Sequence, residues 1–203
     1  MVDAAEVVHR AIGQPAYQVA RAIEPPAWSF AATGYWNTVK GADDYGSAIV
    51  SADRGVFHVE GRFNYEARHA QSGFVGWTFS GGEELAWMVR PIAGGVAGDA
   101  KGPILGLEGS LTAGRFDAYV EFEHVRDREG GTYNYAWSEA AFKPVEWLRV
   151  GIVGQRTRTY GNDRELQRGG LVQFIHKALT VGAYWFNPGS DDQVVMVSAG
   201  VTF

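Results

Sequence analysis

Arg115-Phe116-Asp117-Ala118-Tyr119-Val120-Glu121-Phe122-Glu123-His124 changes chemical character at every step. In an extended chain successive side chains point to opposite faces. Phe116, Ala118, Val120 and Phe122 therefore share one face, and Arg115, Asp117, Tyr119, Glu121 and Glu123 share the other. A helical period of 3.6 would scatter both sets around its axis. Residues 56–67 repeat the pattern, with Phe57, Val59, Phe63, Tyr65 and Ala67 opposite His58, Glu60, Arg62, Asn64 and Glu66. Carried along the chain, the same period predicts strands over 27–39, 44–52, 55–67, 73–81, 84–92, 102–112, 114–127, 131–142, 145–158, 166–177, 178–187 and 192–203. The chain reads as all-β with about 12 strands, preceded by a short N-terminal segment.

Alternation alone does not say which face is inside. A soluble barrel with an oily interior and a membrane barrel with a watery one share the period. Several segments reach the ten or so residues that a tilted strand needs to cross a bilayer, whereas soluble strands usually run about five or six. A closed barrel of twelve strands is also too wide to fill comfortably with apolar side chains, since eight strands already give an interior that side chains just fill. Connection lengths point the same way. The odd connections, 40–43, 68–72, 93–101, 128–130, 159–165 and 188–191, exceed the even ones, 52–54, 81–83, 113–114, 143–144 and 177–178. Membrane barrels join their strands by short periplasmic turns and longer extracellular loops. The expected fold is a closed antiparallel up-and-down transmembrane β-barrel over 27–203, with both of its ends on the periplasmic side.

Composition narrows the function. The formal net charge of −5 argues against nucleic acid as a partner. Cysteine is absent, which excludes disulfides, thiolate metal sites and thiol nucleophiles. Glycine is abundant, at 27 of 203 residues, and Pro-rich disorder is not indicated, with 7 prolines. No apolar run approaches the ~20 residues of a membrane helix. Residues 1–26 lack the pattern of a secretory signal. Their weak helical period is interrupted at Gly13 and Pro15 and closed by Pro25-Pro26. They read as a leader or a short periplasmic segment.

The last strand carries Val195, Val197, Ala199, Val201 and Phe203 on one face, against Met196, Ser198, Gly200 and Thr202. This resembles the final strand of bacterial outer-membrane barrel proteins, where a terminal aromatic preceded by alternating apolar residues is read by the barrel-assembly machinery. The resemblance implies a porin-like protein of the Gram-negative outer membrane, with Phe203 as an assembly signal and outer-membrane lipid and lipopolysaccharide as its surroundings. Trp28 and Phe30 at the start of the first strand, Trp36 near its end, Trp147 and Trp185 suit the aromatic girdles of such barrels.

On this reading the lumen is lined by His58, Glu60, Arg62, Asn64, Glu66, Arg90, Glu108, Asp117, Tyr119, Glu121, Glu123, Arg149, Gln155 and Gln173. Pairing of acids with bases across the bore would plug it, and placement on opposite walls would leave a selective constriction. Arg115 joins the acids of its strand on the wet face. Arg126, Arg128, Arg156, Arg158 and Arg168 share the lipid-facing parity near the extracellular ends of their strands, where guanidinium groups either pair with lipopolysaccharide phosphates or simply snorkel to water. The expected function is a small passive channel for small polar solutes, or a structural barrel, with neither catalysis nor a cofactor. Gly-x-Ser-x-Gly and His-Glu-x-x-His motifs are absent. Gly94-Gly95-Val96-Ala97-Gly98-Asp99-Ala100-Lys101 lacks the ending of a phosphate loop and reads as a flexible loop. Two alternatives stand beside this. Asp43, Asp44, Asp191 and Asp192 could meet at one rim and share a divalent cation or, with His69 near by, serve an outer-membrane hydrolase. A soluble ligand-binding barrel would turn the apolar face inward.

Overall fold

The computed structural model describes residues 27–126, 131–159 and 164–203. Residues 1–26, read above as a leader, lie outside them. The strands are β1 (Ser29–Val39), β2 (Tyr45–Arg54), β3 (Phe57–Phe63), β4 (Gln71–Trp77), β5 (Phe79–Gly81), β6 (Ala86–Ala97), β7 (Gly102–Ala113), β8 (Phe116–Arg126), β9 (Thr132–Val145), β10 (Leu148–Thr159), β11 (Arg164–His176), β12 (Leu179–Phe186) and β13 (Val194–Thr202). β4 and β5 lie end to end against β6, interrupted at Thr78, so together they make one strand of the wall. Each strand of the wall pairs antiparallel with its chain neighbours, and β1 pairs with β13 from Ala31↔Thr202 to Val39↔Val194. The result is a closed up-and-down barrel of twelve strands. Phe30 and Phe203 fasten the seam: each donates its backbone N–H to the other's carbonyl, at 2.7 and 2.9 Å, and their rings stack at 5.8 Å.

The alternating faces sort as the membrane reading requires. Val50, Leu105, Leu111, Val120, Phe122 and Ile152 are exposed on the outside, while Asp53, Glu60, Arg62, Arg90, Glu108 and Arg149 are buried inside. A soluble barrel would show the reverse. Aromatic side chains ring the short-turn end of the outer surface: Trp28, Phe30, Trp77, Phe79, Phe116, Trp147, Phe174 and Phe203 are all exposed there. Trp36, Phe63 and Trp185 sit toward the other end. Connections 55–56, 82–85, 114–115, 146–147 and 177–178 are shorter in the main than 40–44, 64–70, 98–101 and 187–193, so the loop asymmetry holds.

Several boundaries differ from the expectation for local reasons. The strand expected to run to residue 67 stops at Phe63, because Asn64 adopts a left-handed backbone, φ 53°. Its side chain ties the turn: Asn64 Nδ2 donates to the Gly46 carbonyl at 3.0 Å, and Oδ1 accepts from the His69 N–H at 2.8 Å. The turn folds into the barrel mouth, so Tyr65 and Ala67 pack inside rather than on the outer apolar face. The first half of the glycine-rich stretch read as a loop is strand, since β6 continues to Ala97 and the connection to β7 is confined to 98–101. Gly94 permits this: a Cβ there would lie 2.1 Å from the Gly73 carbonyl oxygen and 2.6 Å from the Phe74 ring. Asp53 and Lys143, placed in turns by the sequence, belong to β2 and β9.

The interior is not polar throughout. Toward the long-loop end, Phe74, Ile92, Val96, Ile104 and Val125 form one apolar cluster on the inner wall, and Val153, Leu171, Phe186, Val194 and Met196 form another. Both sit beside charged residues of the same strands, which confines the charges to part of the bore.

Candidate functional site

Adjacent strands of a barrel can offer only every second residue to its interior. β3 and β8 crowd charge into those positions, and β6, β7, β9 and β10 add Arg90, Glu108, Glu139 and Arg149. By contrast β1, β2, β12 and β13, apart from Asp53, offer uncharged side chains, among them Thr33, Ser47, Ser51, Thr180 and Ser198. The bore is therefore lopsided. On the charged wall Arg62 Nε donates to Glu60 Oε1 at 2.6 Å, and its Nη1 donates to Glu121 Oε1 at 2.9 Å and Glu123 Oε1 at 2.7 Å. Glu66 lies 3.6 Å from the same Nη1. These bonds run from β3 to β8, with β4, β6 and β7 between them in the wall, so they cross one side of the bore. Below them, Arg90 joins Glu108 at 2.9 Å, Thr78 at 2.8 Å and Asp53 at 3.3 Å, and His58 Nδ1 lies 2.8 Å from Asp53 Oδ1. A separate cluster centres on Arg149, which donates to Asp117 Oδ1 from Nε at 2.9 Å, and to Glu139 Oε2 at 2.6 Å and Gln173 Oε1 at 2.8 Å from Nη1.

These clusters leave space against the opposite wall. One cavity of about 180 Å³ lies between the small side chains Thr33, Ser47, Ser51, Thr180 and Ser198 and the charged side chains Glu60, Arg62, Glu121 and Glu139. A wider vestibule of about 620 Å³ adjoins it toward the long loops, and Asn37, Tyr45, Tyr65, Tyr135 and Gln155 border both. Tyr65 and Tyr135 meet edge to face at 5.9 Å where the two spaces join.

Of the residues expected to line the lumen, Glu60, Arg62, Asn64, Glu66, Glu108, Tyr119, Glu121, Glu123, Gln155 and Gln173 border these cavities. His58, Arg90, Asp117 and Arg149 are inside the barrel but buried within the ion-pair clusters. Arg115 is not in the bore. It is exposed in the β7–β8 turn, and its Nη1 donates to the Pro144 carbonyl at 2.9 Å. Asp53, Glu139 and Trp137 belong to the interior and were missed. Odd parity with Tyr133 and Tyr135 marks Glu139 and Trp137, and a strand boundary two residues later would have admitted Asp53.

Arg126 and Arg168 are exposed on the outer face, and Arg156 is half-buried there. Arg128 lies outside the described residues, as does the side chain of Arg158. The rim acids do not converge. Lys40 Nζ holds Asp191 at 2.9 Å, and Asp44 accepts from Thr38 Oγ1 at 3.2 Å. Asp192 accepts from Asn187 Nδ2 at 2.6 Å and from the Ser190 hydroxyl. The Ser190 contact leads the effects that hold its carboxyl below the usual range. His69 pairs with Asp99 at 3.1 Å, both exposed. Among the described residues no three His, Asp or Glu side chains gather as a metal site.

No protein-family model matches the chain, and no curated protein does. Solved structures do. A KdgM porin in complex with disordered oligogalacturonate has a TM-score of 0.63 at 8% identity, with 85% of this chain and 98% of that one covered. A second KdgM porin structure has a TM-score of 0.60 at 9% identity, with the same coverage of 85% and 98%. OccK5 (OpdH) of Pseudomonas aeruginosa has a TM-score of 0.46 at 9% identity, with 87% of this chain and 66% of that one covered. At such identities the KdgM likeness is one of architecture: the chain shares with those structures the fold of a closed antiparallel β-barrel, here of twelve strands.

Proposed function

We propose that the protein is a passive channel of the bacterial outer membrane that prefers small cationic or neutral polar solutes. The observation that carries this is the charge balance around the cavities. Asp53, Glu60, Glu66, Glu108, Asp117, Glu121, Glu123 and Glu139 face Arg62, Arg90, Arg149, Lys143 and His58. Carboxylates prevail, and charged rings of one sign select ions of the other. An oligogalacturonate, the ligand of the similar KdgM porin, is a chain of carboxylates and would be repelled here. Planar-bilayer recordings in a potassium chloride gradient test the reading. Potassium preference is expected at 0.1 M salt, where charge acts over ~10 Å, and should fade at 1 M, where it acts over ~3 Å. Chloride preference, or an absence of conductance from folded protein, would overturn it.

The orientation follows from the loop asymmetry and is tested separately. Because the chain has no native cysteine, single cysteines report without background. Asp44→Cys and Asp99→Cys should be labelled from outside intact cells, and Gly114→Cys and Glu146→Cys should not. Equal labelling of both sets would contradict the assignment. In that orientation Arg126 and Arg168 lie at the height of lipopolysaccharide phosphates, and the seam residue Phe203 is available to the assembly machinery.

A further inference from the structure

We infer that the outer vestibule binds a small organic ammonium ion, held by Glu66 and Glu123 with the rings of Tyr65, Tyr133 and Tyr135 around it; this deepens the cation-preferring channel reading and rests on it for how the ion arrives. Arg62 lines the smaller cavity that adjoins the vestibule, and it faces Glu60, Glu66, Glu121 and Glu123 together, of which Glu66 and Glu123 also border the vestibule. One guanidinium among four carboxylates, with His58 Nε2 3.8 Å from Glu60 as the next base, leaves buried negative charge in excess, which is costly unless protons or a cation join it. An independent observation concerns Glu66, whose side chain is 1% exposed. Its Oε1 accepts from the Ser72 hydroxyl at 2.6 Å, yet its Oε2 has no hydrogen-bond partner although the residue borders the vestibule. Arg68, which borders the vestibule, does not fill the role. Its guanidinium lies 5.0 Å from the Tyr45 ring centroid and donates to the Asp43 carbonyl at 2.6 Å.

The walls identify the class of ion. A hard divalent cation wants six or more oxygen ligands, and the carboxylates that border the vestibule are two, Glu66 and Glu123. Tyr45, Tyr65, Tyr133 and Tyr135 border the vestibule instead, in a volume of about 620 Å³ that exceeds any bare ion. Aromatic faces attract ammonium and guanidinium groups, most strongly where water is excluded. Tyr65 already does so, with Arg62 Cζ 4.7 Å from its ring centroid. An ammonium on a compact apolar body would satisfy both the carboxylates and the rings.

The test uses the barrel folded in detergent, titrated with choline or with its neutral isostere 3,3-dimethylbutan-1-ol and followed by saturation-transfer NMR. Choline should bind saturably and the isostere about tenfold more weakly or less, a difference of about 1.4 kcal/mol. Glu66→Gln and, separately, Tyr135→Leu should each weaken choline severalfold, with the folded state checked by migration on an unboiled gel. Glu123→Gln replaces either variant that does not fold. Equal binding of the two ligands, no saturable choline binding, or variants that bind choline as wild type does would overturn the site. Conductance is recorded on the same preparation. Choline binding without conductance would support the site and remove the channel reading, and conductance without choline binding would do the opposite.

Discussion

Replacing Arg62 by methionine should destabilise the barrel by about 3–5 kcal/mol, the cost of removing one partner from a buried ion cluster. The side chain is 1% exposed and serves Glu60, Glu121 and Glu123 at 2.6–2.9 Å. Methionine keeps an unbranched apolar stem as far as the position of Nε, but ends short of the guanidinium carbon that lies 4.5 Å from the Phe74 ring centroid. What it removes is the guanidinium with its charge and hydrogen bonds, leaving Glu60, Glu66, Glu121 and Glu123 to repel one another across the bore. Urea unfolding in lipid vesicles measures the loss. Arg62→Lys should lie between, because an ammonium retains the charge but not the planar fork that reaches both β3 and β8. Arg115→Met is the control: Arg115 is exposed on a turn, and exposed charges contribute about 0–1 kcal/mol. A loss at Arg62 no larger than at Arg115 would mean that the cluster does not hold the wall. In bilayers the Arg62→Met barrel should also favour potassium more strongly, because the cation that offsets the four carboxylates is gone.

The contrast between Arg62 and Arg115 also shows how far parity carries. β8 is legible from its letters because its two faces differ completely: Phe116, Val120 and Phe122 against Asp117, Glu121 and Glu123. β9 is not. Its inward positions hold Tyr133, Tyr135, Trp137 and Glu139, and its outward ones hold Asn134, Ala136, Ser138 and Ala140, so bulk and polarity no longer mark the same face. The tyrosines that shape the vestibule were hidden for that reason. Charge partners across the bore were hidden for another. Parity places Arg62 and Glu121 inside, but whether they meet depends on the tilt and stagger of a closed sheet, which no local pattern encodes. The turn after Phe63 escaped because alternation continued through Asn64, while the left-handed backbone at that residue turned the chain inward. Arg115 failed more simply. It obeys the parity of its strand but lies one residue before β8 begins, where a side chain reaches water and the neighbouring turn.

Val120→Arg tests the faces themselves. Val120 is 53% exposed on the outer surface, near the middle of β8, flanked on that face by Phe122 and by the Leu111 and Leu107 side chains of β7. In a bilayer this surface meets hydrocarbon, and an arginine at the midplane of a barrel costs about 2–4 kcal/mol. The same strand contains its own comparison. Arg126 shares the outward parity of Val120 but lies at the long-loop end, where its guanidinium reaches headgroups or water. Arg126→Ala should therefore change stability by a few tenths of a kcal/mol, as exposed charges do, although it is the more drastic loss of a natural side chain. Folding into vesicles, scored by migration on an unboiled gel and by urea titration, should show Val120→Arg impaired and Arg126→Ala near wild type. Glu121→Gln, one residue away, faces Arg62 rather than lipid, so its effect should follow the ion cluster and be insensitive to bilayer thickness. The cost of Val120→Arg should rise in thicker bilayers, because the arginine is then farther from either interface. If Val120→Arg folds as well as wild type at every thickness, the outer face does not meet hydrocarbon and the barrel does not span a membrane.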